Sequence, residues 1–296
     1  MNISNWTEEA KQDLLRQLIS DLDLTSLQSS VPDFELIHIS DSVEEAMVFL
    51  DNPDLIEGVA TGYEGLDMIT SGFSPEELII ISGGTGQGKT QFAQCLILNM
   101  ALNNVPVLFF TLEMPPRETT IRFMRMVKSK QCDDLVPELP VYYYHGTNTS
   151  LPILDSAIQK GIDAGIKCVV IDHLHFFAKG SDNQANEIGH IVREIKLMAR
   201  KYHIPIVLLC HIRKLTSPTA RPRIDDLKDS SSIAQDADTV MMLWRDMDET
   251  DDMFGARVSE VHVVKNRRRG NLGVEKYKMD ANGYLVEGEY RGKERA

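Results

Sequence analysis

At 296 residues the chain has room for one large α/β domain or two small ones, and 43% apolar with 25% charged residues is ordinary for a soluble globular protein. No apolar run approaches the length of a membrane span, the first residues lack a secretory pattern, and Cys95, Cys132, Cys168 and Cys210 have no paired spacing; these features argue against a membrane partner, export, zinc and a disulfide framework, and point to the cytoplasm. The net charge of −13 argues against nucleic acid, yet residues 1–57 hold thirteen Asp or Glu against two Lys or Arg, so the remainder carries only −2.

Between Trp6 and about Leu27, Leu14, Leu15, Leu18, Ile19 and Leu22 recur at helical spacing and predict an amphipathic helix. Ser30-Val31-Pro32-Asp33 breaks it. A second helix is predicted over Ser42–Leu50, with Ser42 as N-cap, Glu45 at the capping-box position and Asn52-Pro53 as its end. This acidic extension, residues 1–57, is too short for a sizeable core. It reads either as a linker or docking arm or as a helix packed on its own domain.

From Gly58 the pattern alternates. Strands are predicted at Leu78–Ser82, Val105–Leu112, Lys167–Asp172, Ile204–Cys210 and Thr239–Trp244, and helices at Lys89–Asn103, Pro116–Lys130, Pro152–Ala164 and Asn186–Tyr202. This alternation predicts an α/β domain over residues 58–296, its mostly parallel central sheet covered by helices on both faces. Ser259–Asn266 and Gly273–Asp280 read as C-terminal antiparallel strands around the Arg/Gly-rich turn 267–272. Cys168 and Cys210 fall in apolar strands, as small core residues do.

Gly83, Gly84, Thr85, Gly86, Gln87, Gly88, Lys89 and Thr90 fit G-x-x-x-x-G-K-[ST], between an apolar strand and an apolar-periodic helix. Glycines let backbone N–H groups curl around phosphates, and the helix that follows aims its positive end at the anion. Lys89 supplies a point charge to the β/γ-phosphates of ATP or another nucleoside triphosphate, and Thr90 a hydroxyl to Mg²⁺. Lys167–Asp172 is an apolar strand ending in one carboxylate, the pattern that holds Mg²⁺ in P-loop NTPases. Glu113 ends another strand and is the candidate general base for the attacking water. An acid just ahead of Pro115-Pro116 also suits a helix N-terminus, so that reading of Glu113 stays open.

Residues 58–290 resemble the DnaB-like replicative helicases, hexameric motors on a RecA-like P-loop fold. The resemblance rests on Thr61-Gly62-Tyr63-Glu64-Gly65-Leu66-Asp67 with Gly72-Phe73 ahead of the P-loop, Leu112-Glu113-Met114, Ile171-Asp172-His173-Leu174, the segment Asp226–Asp238, and Lys265-x-Arg267-x-x-Gly270-x-x-Gly273. It implies that Glu113 is catalytic, that His211 senses the γ-phosphate, and that Arg267 is an arginine finger acting across a subunit interface with Lys265 beside it. His211 stands where the bacterial branch has Gln, as in the phage and mitochondrial branch; a histidine capping a strand end with no ligand is the alternative. Arg268 and Arg269 read as phosphate contacts or as solvated turn residues.

The resemblance further implies a homo-oligomeric ring, six copies by family pattern, moving 5′→3′ on single-stranded DNA at a replication fork. Primase, polymerase or a loader are the partners it suggests. Residues 211–228 are rich in Pro, Thr and Ser and carry Arg213, Lys214, Arg221, Arg223 and Lys228. With Asp229 and Ser231 they are the expected DNA contacts, though the family has Gly where Ser231 stands. No aromatic residue interleaves with these basics, so phosphate tracking is expected rather than base stacking. No scaffold or primase-like module is recognisable before residue 58, which suggests a stand-alone motor, phage- or mobile-element-encoded. A RecA-like recombinase or mediator, or a non-unwinding ring ATPase of the KaiC or loader type, would share the fold and the nucleotide.

Overall fold

The computed structural model describes residues 58–288, apart from 132, 145, 147, 179–183, 212–220, 222, 228–229 and 246–257, together with 39, 43, 47, 48 and 51. The chain divides into two units between residues 53 and 54, and the fold below is that of the second. The first predicted helix, and Arg213, Lys214, Lys228 and Asp229, lie outside the described residues. Of the second predicted helix, Val43, Met47 and Val48 are helical and exposed.

Among the described residues nine strands form one sheet: β1 Leu78–Gly83, β2 Val107–Thr111, β3 Val141–Tyr143, β4 Cys168–Asp172, β5 Ile206–His211, β6 Thr239–Arg245, β7 Val258–Asn266, β8 Gly273–Met279 and β9 Leu285–Glu287. Their order across the sheet is β3-β2-β4-β5-β1-β6-β7-β8-β9. Strands β3 to β6 run parallel, and β7, β8 and β9 close the far side antiparallel. The helices are α1 Glu64–Thr70, α2 Lys89–Leu102, α3 Pro116–Ser129, α4 Leu151–Asp163, α5 Gln184–Tyr202 and α6 Ser230–Asp236. The mostly parallel sheet with an antiparallel C-terminal part is therefore as the alternation predicted. Helix α1 and strands β3 and β9 were not predicted, because seven or three residues are too few to display a period.

The parallel strands read as unbroken apolar runs because both their faces are covered. In β1, Ile79 and Ile81 enter a core shared with α2, α3 and the C-terminal strands, while Leu78 and Ile80 enter a second core shared with α4 and α5. Helix α2 is buried almost all round, so it is apolar on every side rather than on one stripe. Cys95, Cys168 and Cys210 are buried free thiols; burial pushes Cys95 up to about 11 and Cys168 up to about 12, which makes them inert core residues.

The segment Thr61–Asp67 ties the start of the domain to its last strand. Gly62 has φ +74°, and a Cβ there would lie 2.5 Å from that of Asn99. The Tyr63 ring is buried edge-on against Tyr277 at 4.8 Å, and its hydroxyl donates to the Leu285 carbonyl at 2.7 Å. The first N–H groups of α1 have no partner within the helix, and the Glu287 carboxylate takes those of Glu64 (3.2 Å) and Gly65 (2.8 Å).

Candidate functional site

Ligands of parallel α/β sheets bind beyond the carboxyl ends of the strands, and the predicted residues gather at that edge. Gly83 ends β1 directly beside His211 at the end of β5, and Thr111 of β2 is in register with Asp172 of β4. The chain turns from Gly83 into α2 through Gly86 (φ +79°) and Gly88 (φ +91°). The buried Lys89 side chain lies back over this turn, donating from Nζ to the carbonyls of Gly83 (2.9 Å) and Gly84 (3.0 Å). Burial lowers the Lys89 pKa, while the Asp172 and Glu113 carboxylates oppose that shift. Beside it the Gln87 Oε1 atom is buried with no protein hydrogen-bond partner. A loop of amide donors and a buried cation make a cradle suited to phosphate.

Thr90 and Asp172 are neighbours at the mouth of the loop, and the Thr90 hydroxyl favours the charged form of the carboxylate. Asp172 is 4% exposed. Burial pushes its carboxyl up to about 6, and neighbouring Glu113 adds to the rise; Thr90, Lys89 and Arg122 act the other way. A desolvated carboxylate paired with a hydroxyl is the oxygen donor set of a hard divalent cation.

Glu113 sits on the turn between β2 and α3. The Leu112 N–H donates to the Asp172 carbonyl (3.1 Å), and the Thr111 hydroxyl donates to the Met114 carbonyl (2.7 Å), so both ends of the turn are pinned. The Glu113 side chain is 54% exposed at the mouth of the cradle, with its Oε2 3.7 Å from His173 Nδ1. The structure thus brings Gly83, Gly84, Thr85, Gly86, Gln87, Gly88, Lys89, Thr90, Glu113, Asp172 and His211 to one edge.

Three further residues stand there that sequence reasoning missed. The rings of His173 and His175 are 5.5 Å apart, and both contact His211, at 4.6 and 5.4 Å. Arg245, buried at the end of β6, donates from Nε (3.0 Å) and Nη2 (2.7 Å) to the Ser259 hydroxyl. Its Nη2 would lie 3.1 Å from a Cβ on Gly88, so it backs the loop. Polar residues directly after a strand-end carboxylate were a usable signal for His173 and His175. Arg245 gave none, because only the placement of β6 beside β1 puts it there.

Lys265 and Arg267 lie at the opposite edge. Arg267 N–H donates to the Asp238 carbonyl, whose own N–H donates to Leu78 at the start of β1. The Arg267 guanidinium reaches Asp238 Oδ1 (3.2 Å) and the Gln235 carbonyl (2.7 Å). Lys265 Nζ donates to the carbonyls of Ala234 and Ala237, both at 2.6 Å. Both cations therefore hold the C-terminal end of α6, the helix that begins at Ser230 and contains Ser231.

Of the expected DNA contacts, Arg223 is exposed just ahead of a 3-10 turn, Ile224–Asp226. Arg221 is bound within the domain, its Nε at 2.8 Å and Nη2 at 3.1 Å from the Glu260 carboxylate and its guanidinium over the Trp244 ring at 4.8 Å. His262 and Lys276 also face Glu260, at 2.8 and 3.5 Å. Burial alone would raise the Glu260 carboxyl, but hydrogen bonds from His262 and Arg221 and their charge hold it well below the usual range. A lowered folded pKa means stability that is present above the ordinary carboxylate range and lost as pH falls. Glu260→Gln should therefore cost ~1–2 kcal/mol at pH 7, discounted for the exposed Arg221. Thermal melts should fall by roughly 3–6 °C, and the gap to the unmutated chain should shrink below about pH 4. Equal melting temperatures at pH 7 would show that the cluster contributes nothing.

A family model described as "DnaB-like helicase C terminal domain" matches residues 58–136 and 128–283. Similar curated proteins include a "Probable replicative DNA helicase" of Trieres chinensis, 29% identical over 93% of this chain and 66% of that protein. The "Replicative DNA helicase DnaB" of Pasteurella multocida is 31% identical over 74% of this chain and 52% of its own length, and that of Geobacillus stearothermophilus 29% identical over 80% and 57%. The chain spans about half to two thirds of the length of these relatives. Among solved structures, one described as an "ATPase Domain" superposes with TM-score 0.75 at 23% identity, covering 86% of this chain and all of that one. "The Structure Of A DnaB-Like Replicative Helicase And Its Interactions With Primase" gives TM-score 0.72 at 22% identity over 94% of this chain and 76% of that one. At such identity these two establish the fold.

Proposed function

The chain belongs to the DnaB-like helicase C-terminal domain family, and from that premise we propose that it is a ring-forming motor that hydrolyses ATP, or another nucleoside triphosphate, to move along single-stranded DNA and part a duplex during replication. The observation that carries this reading is the separation of the phosphate cradle from the Lys265–Arg267 pair. Five residue steps along β1, ~16 Å at strand rise, separate Leu78, level with Arg267, from Gly83 at the cradle. The pair cannot serve its own loop, so it serves the loop of an adjoining copy, and a closed ring satisfies every copy.

In that reading the amides of the loop and Lys89 bind the phosphates. Thr90 and Asp172 fit Mg²⁺, which when bound draws charge from the phosphate oxygens. Glu113 orients a water and takes its proton, His211 contacts the terminal phosphate, and Arg267 and Lys265 of the adjoining copy neutralise charge as the bond breaks. The same two cations hold the end of α6 within their own chain. Drawing them toward a neighbour's phosphate trades against that grip and so shifts α6 with the loop before it. Arg213, Lys214, Arg223, Lys228, Asp229 and Ser231 are the DNA contacts in this reading, whereas Arg221 is taken up by the Glu260 carboxylate. Residues 1–57 would be an arm for an adjoining copy or for a primase, polymerase or loader; one structural relative is described with its interactions with primase. Six copies and 5′→3′ travel complete the proposal.

A fork-shaped DNA substrate tests it, beside electron microscopy of the ATP-bound protein. Unwinding by closed rings, weakening steeply with salt, is expected. Helical filaments would favour the recombinase reading instead, and DNA-stimulated hydrolysis without strand separation a loader-type ATPase.

A further inference from the structure

The carboxyl edge of the sheet carries more nitrogen than phosphate chemistry uses. Glu113, Asp172 and His173 each offer one ligand atom, and these atoms lie within 4.8 Å of one another. His173 Nδ1 is shut off from solvent and has no hydrogen-bond partner. Its 3.7 Å separation from Glu113 Oε2 is too long for a hydrogen bond. It is close to the spacing of about 3.3 Å between two ligands ~2 Å from one tetrahedral ion. Two adjacent strands fix the set: Asp172 ends β4, His173 follows it, and the Glu113 turn is pinned to Asp172 through Leu112. The rings of His175 and His211 crowd the same spot, within 5.5 Å of His173. Oxygen ligands alone suit magnesium, whereas imidazole beside carboxylate suits zinc and its neighbours in the transition series.

We propose that Glu113, Asp172 and His173 form a binding site for a borderline-soft divalent cation of the zinc type, adjoining the Thr90–Asp172 oxygen pair. The bound ion takes the lone pair that Glu113 would offer to water, so occupancy brakes hydrolysis; this consequence rests on the function proposed above, while the binding itself does not. Water or a turned His211 imidazole completes the coordination.

The test titrates the full-length protein with Zn²⁺ against a chromophoric chelator, and with Co²⁺ by visible spectroscopy. The intact chain should hold one ion with the intense absorption of four-coordinate cobalt. His173→Asn and, separately, the surface variant Glu113→Gln should each weaken binding at least ~10-fold. Lys89→Ala should lose nucleotide but keep the ion, so a failure of the motor reading and a failure of the cation site give different results. Zn²⁺ at saturating level, in excess Mg²⁺, should slow hydrolysis by the intact chain, with recovery on adding chelator. Equal zinc affinity in the intact chain and both ligand variants, or no competition with the chelator at all, would overturn the site.

Discussion

Glu113→Gln should bind ATP as the intact chain does and hydrolyse it roughly 10²–10⁴-fold more slowly. The change keeps the size and polarity of the side chain and removes only its ability to accept a proton. Because the residue is 54% exposed on a turn pinned by Leu112 and Thr111, the fold has no reason to suffer. The loss corresponds to about 3–5 kcal/mol of barrier. Fluorescent-nucleotide titration should show unchanged affinity, and single-turnover hydrolysis should show the deficit. Turnover within a few-fold of the intact chain would return Glu113 to the plainer role of a helix N-terminal acid.

Arg267→Ala should bind nucleotide and lose ~10³-fold in rate, and Lys89→Ala should lose productive nucleotide use. Mixed together, the two inactive chains should recover hydrolysis. An interface works when its loop comes from the Arg267→Ala copy and its finger from the Lys89→Ala copy. Random mixing of equal amounts places such a pair at about one interface in four, so up to about a quarter of full activity should return. Arg267 also binds Asp238 and Gln235 within its own chain, so a thermal melt must accompany the assay. Asp238 keeps Lys196 at 2.6 Å and the Leu78 N–H at 2.9 Å, which should hold the fold. Mixtures no more active than their components would show that the finger acts on no neighbour, and full activity from isolated single copies would do the same.

Much of this site was legible because its parts are local. Burial on both sheet faces forces runs such as Leu78–Ser82, and the phosphate loop needs left-handed backbone at Gly86 and Gly88, which glycine supplies. Asp172 and Glu113 were legible as carboxylates at strand ends. Other features had no local trace. The C-terminal carbonyls of α6 are held by Lys265 from about 30 residues away, and Glu260 captures Arg221 across 39. The sequence marked Arg221 as a basic loop residue, and only the β6–β7 pairing puts Trp244 and Glu260 under it.

By itself, then, the sequence determined the alternation of strands and helices, the glycine loop between β1 and α2, and the identity of the charged groups at strand ends, since each follows from neighbours within a few residues. The tertiary structure decided which of those ends touch. Strand order is set by apolar packing between distant segments, and it alone brings Glu113, Asp172, His173 and His211 together beside Gly83. The antiparallel turn of β7 then sends Lys265 and Arg267 to the far edge, because a strand that reverses direction delivers its last residues where its parallel neighbours begin.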